Sequence, residues 1–383
     1  MKGRNLLTLI VLAVVLVVVA VNTSNNGSKS TPNVIGKSVF PDLVADDVEK
    51  IVITSSEGTT TVVARVNDIW SVPDRFNYPA DFNKLKDYMI KFIDMKIGQV
   101  MKLDEKQKTA MKLTPTTGTK VDLVGKNNTT IASILIGEAR MRKPAGEMPD
   151  FGGYPDGQYV SPDKGKNVYL VSAAISELPL NSKNWLDQDL VNVMSSDIKE
   201  ISITGPDRKD TKLIRKKDNT GFELDGISTN EVTVESKMYS LESALSYMKM
   251  DEVDDPSLNN DTTGLDKATI FKATTHKGEF FTVKLGKKKD GTDYRFCKVE
   301  AALKEAEKQP EAKDDNSKKK IEEAVRERKE LEDKIKGIND KLSKWIYLIS
   351  AQKVDTMTPA RDTLFEKKKE EKKDTDNKPE AGK

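Results

Sequence analysis

The sequence has few of the side chains on which most enzymes and disulfide-bonded proteins depend. Its 383 residues include one cysteine, Cys297, and one histidine, His276. A lone cysteine excludes an intramolecular disulfide, and one histidine with one cysteine supplies too few ligands for a zinc site. A Ser-His-Asp or Cys-His mechanism would rest on His276 alone. We therefore predict that the protein is not an enzyme and has no catalytic, cofactor-binding or metal-binding residues.

The chain also lacks an excess of charge of either sign and is poor in aromatic residues. The 63 Lys and Arg residues nearly balance the 61 Asp and Glu residues, which leaves a net charge of +2. Such a balance produces no global field that would attract nucleic acid, so no nucleic-acid partner is expected. An aromatic content of 6% is too low for a carbohydrate-binding surface rich in Trp and Tyr. The length allows two or three ordinary globular domains.

One long apolar run is present, near the N-terminus. It extends from Leu6 to Val21 and follows Lys2 and Arg4. A helix of roughly 16 residues reaches about 24 Å, which spans a bilayer that thins locally. The basic residues favour a cytoplasmic N-terminus, so we predict that residues 1–22 are a transmembrane anchor and that the body is on the periplasmic side of the cell membrane. The alternative is a cleaved signal peptide, which also exports the body.

The rest of the chain shows one pattern twice. Three pairs of segments share the same order of apolar residues: 47–54 with 197–204, 84–100 with 237–253, and 168–173 with 346–351. Strand alternation surrounds one stretch of helical spacing in each copy. We predict two tandem α+β repeats, residues 41–190 and 191–365, each a mainly antiparallel sheet with one packed helix. A flexible spacer at 23–40 and a disordered charged tail at 366–383 complete the predicted organisation.

The second copy is longer than the first because of a charged segment at residues 300–344. Seven residues in and directly after this segment recur at alternating spacings of four and three, as in a coiled-coil seam: Ala324, Arg328, Leu331, Ile335, Ile338, Leu342 and Trp345. We predict a helical, coiled-coil-like insertion that exposes this seam to solvent, with Leu331, Ile335, Ile338 and Leu342 as candidate partner-binding residues. Two alternatives are a helical hairpin, in which Glu300–Lys308 folds back over the seam, and a solvated helix that only stiffens a loop.

Three other groups of polar residues lack the spacing that a site requires. The acidic stretch Asp251–Asp255 does not follow the pattern of a calcium-binding EF-hand loop. The glycines around Arg140 and Arg142 match neither the dinucleotide-binding nor the P-loop pattern, which favours a plain flexible loop. His276 is expected at an exposed hairpin tip and Cys297 as a buried thiol in a strand.

The repeated pattern resembles DUF4340, a bacterial family of domains of unknown function. The resemblance rests on the Ile51 and Ile53 pair, on Trp70 and Phe222, and on three short segments: Gly264-Leu265-Asp266, Val168–Val171 and Ile346–Ile349. The first copy departs from the pattern at Met111-Lys112-Leu113, where no glycine precedes the leucine. The resemblance brings no catalytic residues with it.

Members of this family carry one N-terminal membrane segment, and their relatives are often encoded beside ABC-type transporter components similar to gliding-motility auxiliary proteins. The resemblance therefore implies a membrane-anchored structural or interaction component of an envelope assembly, accessory to such a transporter, with a protein partner in that complex. A different class of function is left open by the sequence, namely a ligand-binding accessory protein that uses the cleft between the two repeats.

Overall fold

The computed structural model describes residues 34–142, 153–172, 175, 178–217, 221–305 and 314–368. Its helices are α1 (Phe82–Ile93), α2 (Glu105–Ala110), α3 (Glu235–Glu242), α4 (Asn260–Thr263), α5 (Asp315–Leu342) and α6 (Ala351–Met357). Its strands are β1 (Lys50–Thr54), β2 (Thr60–Val66), β3 (Ile69–Val72), β4 (Tyr78–Pro79), β5 (Ile97–Met101), β6 (Thr119–Val124), β7 (Thr130–Arg142), β8 (Tyr154–Ser161), β9 (Val168–Val171), β10 (Asp189–Val191), β11 (Ile198–Thr204), β12 (Thr211–Arg215), β13 (Phe222–Leu224), β14 (Glu231–Thr233), β15 (Met248–Lys249), β16 (Glu252–Asp254), β17 (Thr269–Thr275), β18 (Glu279–Lys288), β19 (Tyr294–Leu303), β20 (Ile346–Ser350) and β21 (Phe365–Lys367). The fold is α+β with antiparallel sheets and few helices, as predicted.

The chain divides into two compact units. The first comprises Met1–Asp68 and Phe82–Asn184, and the second comprises Ile69–Asp81 and Trp185–Lys383. The predicted boundary at 190/191 is close to the division between residues 184 and 185. The sequence did not predict that residues 69–81 belong to the second unit.

The first unit is built on an antiparallel sheet in the order β2-β1-β6-β7-β8-β9-β5. In β1 the residues alternate between the core and the opposite face, because successive side chains of a strand point to opposite sides; Ile51 and Ile53 are buried. Helix α1 has apolar side chains at spacings of three and four, which places them on one face. That face is buried through Leu85, Tyr88, Met89 and Phe92.

The start of the described chain is ordered against the region of β5. The backbone N–H of Gly36 donates to the carbonyl of Ile97 at 2.7 Å, and the N–H of Ile97 donates to the carbonyl of Lys37 at 2.9 Å. The prediction of a flexible spacer is therefore wrong for these residues, because the free backbone groups beside an edge strand need partners and this segment supplies them. Residues 23–33 lie outside the described part of the chain.

The second unit contains an antiparallel sheet in the order β13-β12-β11-β17-β18-β19-β20-β16, and two small pairs, β10-β15 and β14-β21. Its core includes Phe271 and Phe281, and it receives Met238 and Leu241 from α3 and Val354 and Met357 from α6. In the pair β14-β21, Val232 is opposite Glu366. The predicted disordered tail is therefore wrong for residues 366–368, where backbone pairing orders a charged segment; residues 369–383 lie outside the description.

The two sheets share one strand order. The strand order β2-β1-β6-β7-β8-β9-β5 of the first unit corresponds to β12-β11-β17-β18-β19-β20-β16 of the second, and α1 and α3 follow the short strands β4 and β14. Ile51 and Ile201 are both fully buried, and so are Phe92 and Leu245, at 1% and 0% exposure. The positions that were paired from the sequence thus have the same burial.

The hairpin of β3 and β4 joins the second unit by backbone pairing. Asp81 N–H donates to the carbonyl of Trp185 at 2.7 Å, and Asp187 N–H donates to the carbonyl of Pro79 at 3.0 Å. Ala80 and Leu186 form a β-bridge between these bonds. A segment from the first half of the sequence is therefore part of the fold of the second unit.

Tyr78 of this hairpin belongs to an aromatic cluster. Its ring lies 5.0 Å from the ring of Trp345 and 6.2 Å from that of Tyr347, both in edge-to-face geometry. Tyr78 is fully buried, and its hydroxyl has no hydrogen-bond partner among the described residues. Burial raises the pKa of this hydroxyl, with Asp187 adding to the effect. Tyr78 therefore contributes by packing rather than by polar chemistry.

Candidate interaction surface

Helix α5 is the longest helix in the described chain, with 28 residues, and it lies within the predicted insertion. The insertion begins later than predicted, because β19 continues to Leu303 and pairs Glu300 with Thr282 of β18. The helical hairpin interpretation of Glu300–Lys308 is therefore wrong for residues 300–303. Residues 306–313 lie outside the described part.

The second half of α5 covers an open strand edge. β18 pairs with β19 as far as Leu303, whereas β20 pairs only with Tyr294–Cys297. The edge of residues 298–303 that faces away from β18 is closed by Asn339, whose Nδ2 donates to the carbonyl of Ala301 at 2.7 Å and whose Oδ1 accepts from the N–H of Ala301 at 2.9 Å. A side-chain amide thus takes the place of a strand partner.

Charged contacts hold the same half of the helix. Lys334 Nζ lies 2.7 Å from Oε1 of Glu279, which is only 4% exposed and also accepts from Thr275 Oγ1 at 3.0 Å. Near the end of the helix, Lys341 Nζ lies 2.8 Å from Oδ2 of Asp187. Loss of a partner from a buried carboxylate is costly, because the remaining charge is left desolvated. These contacts hold the second half of α5, residues 328–342, in place within its own unit, and this part of the helix is the fastened half.

The four predicted partner-binding residues lie on this fastened half. Ile335 and Leu342 are buried, at 8% and 1% exposure, while Leu331 and Ile338 are half-buried. The expectation that the seam faces solvent is wrong for Ile335 and Leu342, because the helix packs these side chains inside its own unit. A partner would reach Ile335 and Leu342 only if the helix left β19. Partner binding through the four residues stays a prediction.

The first half of α5 is the part with exposed side chains. From residue 318 to residue 327 every side chain is exposed except Ile321, which is half-buried, and Val325 is 50% exposed. Arg328 marks the start of the fastened half, since its Nη1 donates to the carbonyl of Lys304 at 2.7 Å. Ile321, three residues before Ala324, continues the alternating spacing of the seam towards the N-terminus of the helix, whereas Val325 directly follows Ala324 and lies beside the seam. Sequence reasoning selected neither residue.

Asn339→Ala is expected to lower the free energy of unfolding of the second unit by about 1–3 kcal/mol. It leaves the N–H and carbonyl of Ala301 without their partner beside a packed helix. Urea denaturation followed by tryptophan fluorescence measures the change. The neighbouring Asp340→Ala is a matched control that should have little effect, because Asp340 is exposed. Equal midpoints for both variants would contradict the proposed edge closure.

The comparisons with known proteins extend this description. A family model, Domain of unknown function (DUF4340), matches residues 70–268, more than half of the chain. The chain belongs to the DUF4340 family. No curated protein and no solved structure matches it. The description of the family assigns no activity to it.

Two glycines of the DUF4340 fold occupy corresponding strands, β7 and β18. A Cβ added to Gly137 would collide with the carbonyl oxygen of Met111, and one added to Gly286 would collide with that of Thr263. Glycine is required at both places because the chain that precedes β6 and β17 crosses close to the strand backbone.

The remaining sequence candidates of this DUF4340 protein have structural surroundings. His276 is exposed in the turn between β17 and β18. Cys297 is fully buried, and burial raises the pKa of its thiol, so the nucleophilic thiolate is disfavoured. Among the described residues no three or more His, Cys, Asp or Glu side chains are grouped to hold a metal ion.

Three of the acidic residues at 251–255 have basic partners: Asp251 lies 2.9 Å from Lys353, Glu252 lies 3.3 Å from Arg75, and Asp254 lies 2.6 Å from Lys289. The segment around Arg140 is strand β7 rather than the predicted flexible loop, and Arg140 Nε lies 2.6 Å from Asp156 Oδ1 on β8. Residues 143–152 lie outside the described part of the chain.

The described part of the DUF4340 chain contains no helix that is long enough and apolar enough to cross a bilayer. The predicted transmembrane anchor, residues 1–22, falls outside that part.

Proposed function

We propose that this DUF4340 protein is a membrane-anchored, extracytoplasmic interaction component of an envelope assembly, and that a protein partner contacts the first half of α5. The observation that carries the proposal is the division of α5 into two parts. Its second half is fastened by Asn339 and Lys334, while its first half exposes Val325.

The chemistry of the first half suits a helical partner. Ile321, Val325 and Arg328 follow one another at spacings of four and three, which aligns them on one side of the helix. Charged side chains of both signs flank this stripe: Lys318, Lys319, Lys320, Glu322, Glu323, Arg326 and Glu327. An amphipathic helix with complementary flanking charges would cover the stripe and pair with those charges.

The anchor and the assembly form the rest of the proposal. Residues 6–21 would hold the protein in the cell membrane with the body on the periplasmic side, and the family resemblance suggests a complex related to ABC-type transporters. The shared strand order of the two sheets supports the inference that the units are copies of one repeat. A ligand site in a cleft between the repeats stays a prediction from the sequence.

A photo-crosslinking residue placed at Val325 is expected to capture one specific protein in intact cells. The same residue placed at Lys336, which is exposed on the fastened half, should not capture it. Val325→Asp should abolish the interaction, assayed by co-purification, and leave the unfolding midpoint unchanged, because position 325 is exposed. Identical crosslinks at the two positions, or co-purification that survives Val325→Asp, would count against the partner surface.

The same cells test the anchor by fractionation. A variant that lacks residues 6–21 should leave the membrane fraction. If this variant still sediments with membranes after a salt wash, the proposed anchor is wrong, whatever the crosslinking shows.

A further inference from the structure

A cavity of about 640 Å³ lies in the second unit, at the end of the sheet where β11 turns into β12. It is bounded by the turn at residues 206–208, by α4 with the segment that follows it, and by β18 and β19. Its volume is within the range of roughly 300–1,000 Å³ that is typical of small-molecule sites. It is separate from α5, so any ligand here would act independently of the proposed partner surface.

Four basic side chains line the cavity: Arg208, Lys267, Lys287 and Arg295. None of the four forms an ion pair with a carboxylate among the described residues. Lys287 Nζ instead donates to the carbonyl of Asp261 at 2.9 Å, and Arg295 Nη1 donates to the carbonyl of Gly286 at 3.1 Å. These contacts, both to backbone carbonyls, position the side chains of Lys287 and Arg295 in the cavity wall.

Arg208 supplies a second, independent observation. Its Nη1 donates to the carbonyl of Thr358 at 3.3 Å and its Nη2 to that of Pro359 at 2.6 Å, which holds the guanidinium in place. The guanidinium has five N–H donors, of which these two carbonyls use two, so Arg208, which lines the cavity, keeps donors for an anion.

Three exposed aspartates also line the cavity: Asp207, Asp261 and Asp266. Their carboxylates repel a ligand that carries only negative charge, and they attract an ammonium group. The four basic groups offer more donors than the two oxygens of one carboxylate use, whereas a phosphate group accepts from several donors at once. The lining as a whole therefore suits a ligand in which a phosphate is close to an ammonium group.

We propose that this cavity binds a zwitterionic phosphate ester of the phosphoethanolamine type, with the phosphate at Arg208 and the ammonium group towards the aspartates. The ligand has two sources, a free phosphomonoester or the phosphodiester headgroup of a lipid. The two share the same recognition chemistry and differ in the charge of the phosphate.

Isothermal titration of the full-length protein tests the proposal with O-phosphoethanolamine, glycerophosphoethanolamine and inorganic phosphate. We expect one of the two esters to bind, and inorganic phosphate to bind about tenfold more weakly because it lacks the ammonium group. Tighter binding of the monoester identifies a free ligand, and tighter binding of the diester identifies a lipid headgroup. Absence of binding for both esters, or equal affinity for inorganic phosphate, overturns the proposal.

Matched variants show whether binding occurs in this cavity. Lys267→Gln should weaken binding about tenfold, since a hydrogen bond to a charged group is lost, while Lys277→Gln should leave it unchanged. Lys277 is exposed in the turn that follows β17, whereas Lys267 precedes this strand. Both substitutions change the net charge by the same amount. Arg208→Lys should weaken binding further, but it also removes contacts to Thr358 and Pro359, so Lys267→Gln decides the outcome if that variant fails to fold. Equal losses in Lys267→Gln and Lys277→Gln would show non-specific charge attraction and overturn the assignment.

Discussion

Tyr78→Ala is expected to lower the free energy of unfolding of the second unit by about 3–5 kcal/mol, the usual cost of truncating a large buried aromatic side chain. The ring is fully buried and makes edge-to-face contacts with Trp345 and Tyr347, so its removal leaves a cavity inside the cluster. All three tryptophans of the chain, Trp70, Trp185 and Trp345, belong to the second unit. Tryptophan fluorescence during urea denaturation therefore reports on this unit directly.

Two variants serve as controls for this experiment. Phe76→Ala, in the same hairpin, should change stability little, because Phe76 is 41% exposed. Tyr78→Phe should be neutral or slightly stabilising, because the hydroxyl it removes is buried without a hydrogen-bond partner. If Tyr78→Ala unfolds with the midpoint and slope of the unchanged protein, the hairpin is not part of the core of the second unit.

Gly137→Ala and Gly286→Ala are each expected to destabilise their own unit by about 1–3 kcal/mol, the usual cost of forcing an extra methyl group into a packed site. In each case the new Cβ would collide with a backbone carbonyl oxygen, of Met111 or of Thr263, and a backbone yields less readily than a side chain. Tryptophan fluorescence measures the effect of Gly286→Ala. Native-state hydrogen exchange measures that of Gly137→Ala, since the first unit contains no tryptophan.

Gly337→Ala is the matched control for both glycine variants. Gly337 lies within α5, and a Cβ added there would meet no atom within 4 Å. Alanine in a helix interior is more favourable than glycine by roughly 0.5–1 kcal/mol, so this variant should be slightly stabilised. Tolerance of alanine at either Gly137 or Gly286 would show that the close crossing is not needed in that unit, and would weaken the inference that the units are copies.

The apolar pattern predicted local structure well where an element is buried by its own sequence neighbours. The alternation in β1 and β11 and the spacing of Leu85 and Phe92 in α1 each identify a buried face without knowledge of what covers it. For α5 the same reasoning found the helix and its stripe, but it did not show which part of the stripe the protein itself covers. That depends on the length of β19 beyond its last contact with β20, which a periodicity does not reveal.

The candidate sites were predicted less well than the fold. No motif marks Arg208, Lys267 and Lys287 as neighbours, because they come from separate turns and strands that meet only at the end of the folded sheet. Ile321 was within reach of the spacing argument and Val325, beside the seam, was not; only the burial of Ile335 and Leu342 shows that the accessible apolar side chains of α5 lie in its first half.

The order of apolar and polar residues along the chain was sufficient to predict the α+β class, the two matching series of strands, the long charged helix and the resemblance to the DUF4340 family. Only the folded chain shows that Ile69–Asp81 completes the second unit, that Asn339 closes the edge of β19, and that four basic residues line one cavity. These features depend on contacts between segments far apart in sequence. The periodicity of a segment specifies which face is apolar, and only the folded chain specifies what that face meets.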